Sequence, residues 1–310
     1  MKQIELISEI NRLRHEKNAV IMAHYYQMPE IQDIADFTGD SLALAQEAQK
    51  TSADIIVLAG VNFMGETAKI LNPAKKVLVP DINAGCSLAD SCPAEKFAEF
   101  IAQHSDYKVV TYVNTTAEVK ALSDICATST NAKKIIEQLP ENEKIIFAPD
   151  KNLGNYINSV TGRNMLLWNG ACHVHEQFSV ERLLDLKNAY PNAKVLAHPE
   201  CKNVVLMLAD FIGSTQALLN YATQSNEKQF LIATESGILH QMQKLNPEKE
   251  FIPVPPIDST CGCNDCKYMR LNTLEKIYNS LLTEQPEILV NEEIRKKAVK
   301  PIEKMLKMSV

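Results

Sequence analysis

Residues 19–45 read AVIMAHYYQMPEIQDIADFTGDSLALA, and the chain contains this pattern three times. The second copy, 107–135, is YKVVTYVNTTAEVKALSDICATSTNAKKI, and the third, 193–219, is AKVLAHPECKNVVLMLADFIGSTQALL. The copies align on Asp36, Asp124 and Asp210, at offsets of 88 and 86 residues and without a gap. Twelve residues before each aspartate stand His24, Tyr112 and His198, and ten before stand Tyr26, Asn114 and Glu200. Five residues after it stand Ser41, Ser129 and Thr215. Similarity at any single position is weak; polar residues recurring at three fixed offsets are the signal of an internal repeat.

Each copy follows one plan. An apolar strand (VIMA, KVVTYV, KVLA) leads to a helical pattern that ends near the aspartate, and a second helix starts at the Ser or Thr. A buried strand follows (DIIVLAG, KIIFAP, QFLIAT), then a short helix and a last strand (KKVLVP, MLLW, EFIPV). Strands alternating with helices predict parallel sheets covered on both faces. The expected fold is therefore α/β: three similar αβα domains with short parallel sheets around a pseudo-threefold axis. The expected boundaries are 1–85, 86–171 and 172–266, with helices in 267–310 packing back on the first domain. Units of about 86 residues are small to stand alone, so close mutual packing is expected.

Composition sets the remaining bounds. The 310 residues are 45% hydrophobic and 23% charged, ordinary for a globular protein. The net charge of -6, with both signs mixed along the chain, argues against nucleic acid or an anionic membrane as the partner. The N-terminus has no apolar signal-like run; Ile4, Ile7, Ile10 and Leu13 recur at helical spacing instead. No segment approaches a membrane span, and the expected location is the cytoplasm. There, eight cysteines read as thiols or metal ligands rather than disulfides.

The cysteines obey the repeat. Cys86 follows His24 by 62 residues, and Cys172 follows Tyr112 by 60. The stretch TCGCNDCKYM, 260–269, places Cys261, Cys263 and Cys266 63 to 68 residues after His198. Each copy thus ends on a cysteine just beyond its last strand, at the sheet edge where parallel α/β proteins bind ligands. Around one axis, three such thiolates could hold zinc or an iron–sulfur cluster. Clusters usually take four cysteines, so three would leave one metal position open, and an open metal position serves as a Lewis acid. The surrounding repeat-matched residues are neutral donors, two histidines and one carboxylate, Glu200. They suit a small polyanionic substrate, with Ser41, Ser129 and Thr215 near helix starts that favour anions and can be capped by such hydroxyls.

These residues resemble the quinolinate synthase family over essentially the whole chain. The most specific matches are MAHYYQ (22–27), GDSLALA (39–45), YVNTTAE (112–118), HPEC (198–201), GST (213–215) and CNDCKYMRLNTLEKIY (263–278). The resemblance implies condensation of iminosuccinate (iminoaspartate) with dihydroxyacetone phosphate to quinolinate, releasing phosphate and two waters, for NAD biosynthesis. It implies one [4Fe-4S] cluster per chain on Cys86, Cys172 and Cys266, the last selected because the family's ligand directly precedes an x-x-M segment. It implies a substrate set of His24, Ser41, Tyr112, Asn114, Ser129, His198, Glu200 and Thr215, with Tyr26 lining the same cavity. It also implies a functional link to the L-aspartate-oxidising enzyme that supplies iminosuccinate. The catalytic roles expected are acid/base work by Glu200, with His198, Tyr26 and Tyr112 orienting substrate or relaying protons. The chain departs from the family at Lys267, where many members have proline, and in a C-x-C-x2-C run one residue shorter than some members carry. The regulatory disulfide that the family's run implies is therefore in doubt; a pairing of Cys263 with Cys266 stays open, and it would remove a cluster ligand.

Blander readings accompany these. Cys92, Cys126 and Cys201 are expected to be buried apolar residues, and His173 and His175 to be structural or supporting. The three aspartates are expected on one helix face in a structural role. Leu274, Ile277, Tyr278 and Leu281 read as core, and the tail 291–308 as a solvated helix that Pro301 breaks or kinks. Two other functions remain open. One is a zinc hydrolase on Cys172, His175, Cys263 and Cys266; the other is a non-catalytic iron–sulfur sensor or electron carrier.

Overall fold

The computed structural model describes residues 2–258 and 264–309. Cys261 and Cys263 lie outside them. The described strands form three four-stranded parallel sheets. The first contains β1 (Ala19–His24), β2 (Phe37–Gly39), β3 (Ile55–Ala59) and β4 (Lys76–Leu78). The second contains β5 (Lys108–Tyr112), β6 (Ile125–Ala127), β7 (Ile145–Ala148) and β8 (Leu166–Leu167). The third contains β9 (Lys194–Ala197), β10 (Phe211–Ile212), β11 (Gln229–Ala233) and β12 (Glu250–Pro253). All three have one order, β2-β1-β3-β4 and its equivalents, which is the repeated α/β plan expected from the sequence. The short strands β2, β6 and β10 were not foreseen. At two or three residues each, they are too short to register an alternating pattern.

That strand order decides where a ligand can sit. The chain leaves β1, adds β2 on one side, then crosses to add β3 on the other. Such a reversal opens a crevice at the carboxyl ends of the strands. His24 and Tyr112 are the last residues of β1 and β5, and His198 directly follows β9. The central strands are largely apolar between their ends; Ile55–Ala59 is apolar and buried at every position, as a sheet covered on both faces requires.

The repeated aspartates act in the turn before the second strand, not on a helix. The N–H groups of Ile21, Val109 and Val195 each donate to a carboxylate oxygen of Asp36, Asp124 and Asp210, at 2.8 Å in all three units. Each aspartate N–H in turn donates to the carbonyl of that same strand residue. The clip ties each short returning strand to the central one. Asp210→Ala leaves the N–H of fully buried Val195 without its acceptor. The expected cost is about 1–3 kcal/mol, read as a lowered urea midpoint; an unchanged midpoint would contradict the clip.

The N-terminal helix Gln3–Glu16 buries Leu6, Ile10 and Leu13 and leaves Ile4 in solvent. The helix Leu274–Thr283 packs on it and buries Leu274, Ile277 and Leu281 beside residues of β1 and β3. The last helix, Glu292–Met308, behaves differently. It runs through Pro301 and buries Ala298, Ile302 and Met305 mainly against the second unit. It is neither a solvated face nor broken at proline, because tertiary packing offsets the one missing backbone hydrogen bond. No described helix is long and apolar enough to cross a membrane.

Candidate active site

The three units meet at one cavity of about 70 Å³. Its wall contains all nine residues at the three polar offsets matched around the aspartates: His24, Tyr26, Ser41, Tyr112, Asn114, Ser129, His198, Glu200 and Thr215. Cys86, Cys172 and Cys266 line it too. Cys92, Cys126 and Cys201 do not, and are buried in the apolar core.

The backbone presets the histidines. The Tyr26 N–H donates to His24 Nδ1 at 3.1 Å, and the Glu200 N–H to His198 Nδ1 at 3.3 Å. With Nδ1 accepting, the proton of each neutral ring sits on Nε2, and His198 Nε2 reaches Ser129 Oγ at 3.2 Å. Burial pushes both imidazoles down to about 3, so they enter the site neutral. The consequence for stability has a definite sign. Below about pH 6.5 the unfolded chain takes up protons that the folded sites refuse, so stability present above pH 6.5 is lost as pH falls toward 3. The loss is at most about 1.4 kcal/mol per pH unit per histidine. Urea midpoints of metal-free protein across this range should fall less steeply for His24→Gln than for the parent chain.

Glu200 is the electrostatic centre. Tyr112 Oη donates to its Oε1 at 2.5 Å, and His175 Nδ1 lies 2.9 Å from its Oε2. Burial opposes its charge, but the adjacent His175 and His198 imidazoles and the hydrogen bond from Tyr112 prevail and hold the carboxyl at about 2. His198, neutral and 3.9 Å from Oε1, adds less than His175. Burial, reinforced for Tyr112 by Glu200, keeps both Tyr26 and Tyr112 phenols protonated far above their ordinary value. Tyr26 Oη bridges Thr215 and Thr234 at 2.8 Å each. Asn114 Oδ1 is buried without a hydrogen-bond partner on the cavity wall, which leaves it free for a ligand donor.

The hydroxyls are not helix caps. Asp40 and Ser214 cap the helices Ser41–Lys50 and Thr215–Gln224, so Ser41 and Thr215 are first-turn residues whose side chains face the cavity, Thr215 already paired with Tyr26 Oη. The tight turns before them need glycine. A Cβ on Gly39 or Gly213 would come within 2.9 or 2.8 Å of Ala43 or Ala217. The second unit has Ala127 at this point, and its helix starts only at Ala132 behind Asn131. Ser129 therefore sits in a loop and not at a helix start.

Sequence reading missed the residues that hold the cysteine loops. Asp150, fully buried two residues past β7, accepts from the Cys172 N–H at 3.2 Å and caps the next helix through the Leu153 N–H at 2.8 Å. Burial, with Glu200 nearby, pushes its carboxyl well above the usual range. Glu235, two past β11, accepts from the Cys266 N–H at 3.1 Å and lies 2.9 Å from Arg270; burial pushes it up to about 8 despite Arg270. In the first unit Asn62, three past β3, binds the loop before Cys86 through Ile82 and Ala84 carbonyls. The signal was positional: each lies just beyond the carboxyl end of its unit's second long strand. His175, expected to be structural or supporting, stands in the cavity wall with Glu200; His173 accepts or donates at Ser87 Oγ, 2.6 Å away.

The donor set suits a cluster. Among the described residues, the one trio of metal-type donors whose atoms all lie within 4.8 Å of one another is Cys172, His175 and Glu200. The three thiols are too dispersed to share one ion, since two sulfurs on one zinc lie at most about 4.6 Å apart. Thiols brought from three loops to one cavity fit a group containing several metal atoms. Burial raises all three above the ordinary thiol range, so metal must supply the charge that stabilises them as thiolates.

Comparison with known proteins agrees with this architecture. The family described as Quinolinate synthetase A protein matches residues 8–307. The quinolinate synthase of Chloroherpeton thalassium is 58% identical over 309 residues, covering 100% of this chain and 96% of that protein. That of Thermosynechococcus vestitus is 58% identical, covering 99% and 96%, and that of a Synechocystis species 59%, covering 98% and 96%. Three repeated units, one shared cavity and full-length similarity lead to the same place: the chain belongs to the quinolinate synthetase A family and is an enzyme of the quinolinate synthase type.

Proposed function

We propose that the enzyme condenses iminosuccinate with dihydroxyacetone phosphate, giving quinolinate, phosphate and two waters for NAD biosynthesis. The observation that carries this is the meeting of all nine repeat-matched polar residues and all three repeat-terminal cysteines on one cavity. Cys86, Cys172 and Cys266 would hold one [4Fe-4S] cluster per chain, which when bound supplies a Lewis-acidic iron for loss of water. Each repeat would contribute the cysteine that follows its last strand: Cys86 and Cys172 open the units 86–171 and 172–266, and Cys266 closes the third. An L-aspartate-oxidising enzyme would supply the imine.

The chain's own residues do the rest. Asn114, Ser41, Ser129 and Thr215 grip carboxylates and the phosphate, and the first-turn N–H groups beside Ser41 and Thr215 favour anions. His24 and His198 present Nε2–H donors fixed by the backbone. Neutral donors hold a polyanion without locking it in place, which suits a site that must release phosphate. Glu200, ionised and bound by Tyr112, takes a proton from substrate carbon or nitrogen and returns it to a departing oxygen. Tyr112 Oη, 2.5 Å away, orients it and shares the proton.

The test is iron and sulfide content of anaerobically purified protein. About four of each per chain is expected for such a cluster, with loss in each of the alanine variants of Cys86, Cys172 and Cys266. Zinc without sulfide in the purified protein would overturn the reading and favour a hydrolase.

A further inference from the structure

Cys172, His175 and Glu200 form a second, smaller metal arrangement inside the same cavity. Their donor atoms lie within 4.8 Å of one another. His175 Nδ1 and Glu200 Oε2 are 2.9 Å apart, yet Nδ1 is buried without a hydrogen bond. Two lone-pair-bearing atoms this close, without hydrogen-bond alignment, are stabilised by a cation between them. The outer partners are also in place. Thr234 Oγ1 lies 3.0 Å from His175 Nε2, and Tyr112 holds Glu200 Oε1, leaving Oε2 free. Such contacts fix the tautomer and aim of a ligating histidine and carboxylate. Around tetrahedral zinc, ligand atoms stand about 3.4–3.6 Å apart, as bond lengths of about 2.0–2.3 Å require. Shifts of about an ångström or less would close the trio.

We propose that the cluster-free protein binds one zinc ion through Cys172 Sγ, His175 Nδ1 and Glu200 Oε2, and that this ion blocks cluster assembly by occupying Cys172. Binding releases the Cys172 thiol proton to solvent, and the fourth position faces the cavity, open to water. Cys86 and Cys266 take no part. The blocking step rests on the cluster reading above; the zinc site does not.

The experiment uses reduced, cluster-free full-length chain titrated with Zn²⁺, and with Co²⁺ as a coloured substitute. One ion per chain is expected. His175→Gln and Glu200→Gln should each weaken it by no less than the roughly 10–100-fold that losing even an outer partner costs, whereas Cys86→Ala and Cys266→Ala should leave it within about twofold. X-ray absorption of the unaltered zinc-loaded protein keeps the test independent of variant folding: one sulfur with nitrogen and oxygen neighbours is expected. Three sulfurs around zinc, or undiminished affinity in His175→Gln, would overturn the site. Zinc-loaded protein should then take up iron and sulfide more slowly than zinc-free protein, and chelation should restore the rate. Equal rates would overturn the block, while failure of both samples to build a cluster would instead count against the cluster reading.

Discussion

Glu200→Gln should retain a full complement of iron and sulfide and lose about 10²–10⁴-fold in turnover, the range for removing a general acid/base. The amide keeps the side chain's shape and can still accept from Tyr112 Oη, whose 2.5 Å contact lengthens once the carboxylate charge is gone. It cannot take up a proton. Because Glu200 is not among the proposed cluster ligands, metal content and turnover separate cleanly in this variant. Near-normal turnover would remove Glu200 from the acid/base role and move attention to Tyr26 and Tyr112. Loss of the cluster with turnover would mean that Glu200 acts structurally.

Asp150→Ala should be the most destabilising single change among the residues that hold the cysteine loops, at about 3 kcal/mol. It removes the cap of helix Lys151–Thr161, worth about 1 kcal/mol. It also strands the half-buried Cys172 N–H, at up to about 1–3 kcal/mol. The two add because they involve different donors on different segments. Asp150→Asn separates them: the amide oxygen can still cap Leu153, while its NH2 cannot accept from Cys172. The asparagine variant should therefore unfold at a urea concentration between those of parent and alanine variant, and lose its cluster to a chelator faster than the parent. Equal midpoints for parent and alanine variant would show that the buried carboxyl does not hold the Cys172 loop.

The repeat made most of this legible. His24, Tyr112 and His198 could be matched because they occupy one place, the carboxyl end of a central strand. The cysteines could be matched because each follows its unit's last strand. What escaped notice escaped for physical reasons. Asp150, Glu235 and Asn62 do one job with three different side chains, two by carboxylate to a cysteine N–H and one by amide to carbonyls, so no residue type recurs. The aspartates were placed on a helix because a helical pattern precedes them, although their carboxylates reach back fifteen residues to a strand N–H. Pro301 was judged by local propensity, which the buried face of Ala298, Ile302 and Met305 outweighs.

Within each sheet, every pairing joins strands from one contiguous stretch of chain. Short sequence separation favours rapid closure, so each sheet can form soon after it is synthesised. The cavity has no such local origin, since its thiols belong to three stretches that must first dock. A growing chain therefore keeps its soft-metal donors apart on separate pieces until the last of them, Cys266, has emerged. For the metal group proposed above, the order of synthesis would thus act as a timer: the full thiol set comes together only in a chain whose three sheets have all been made.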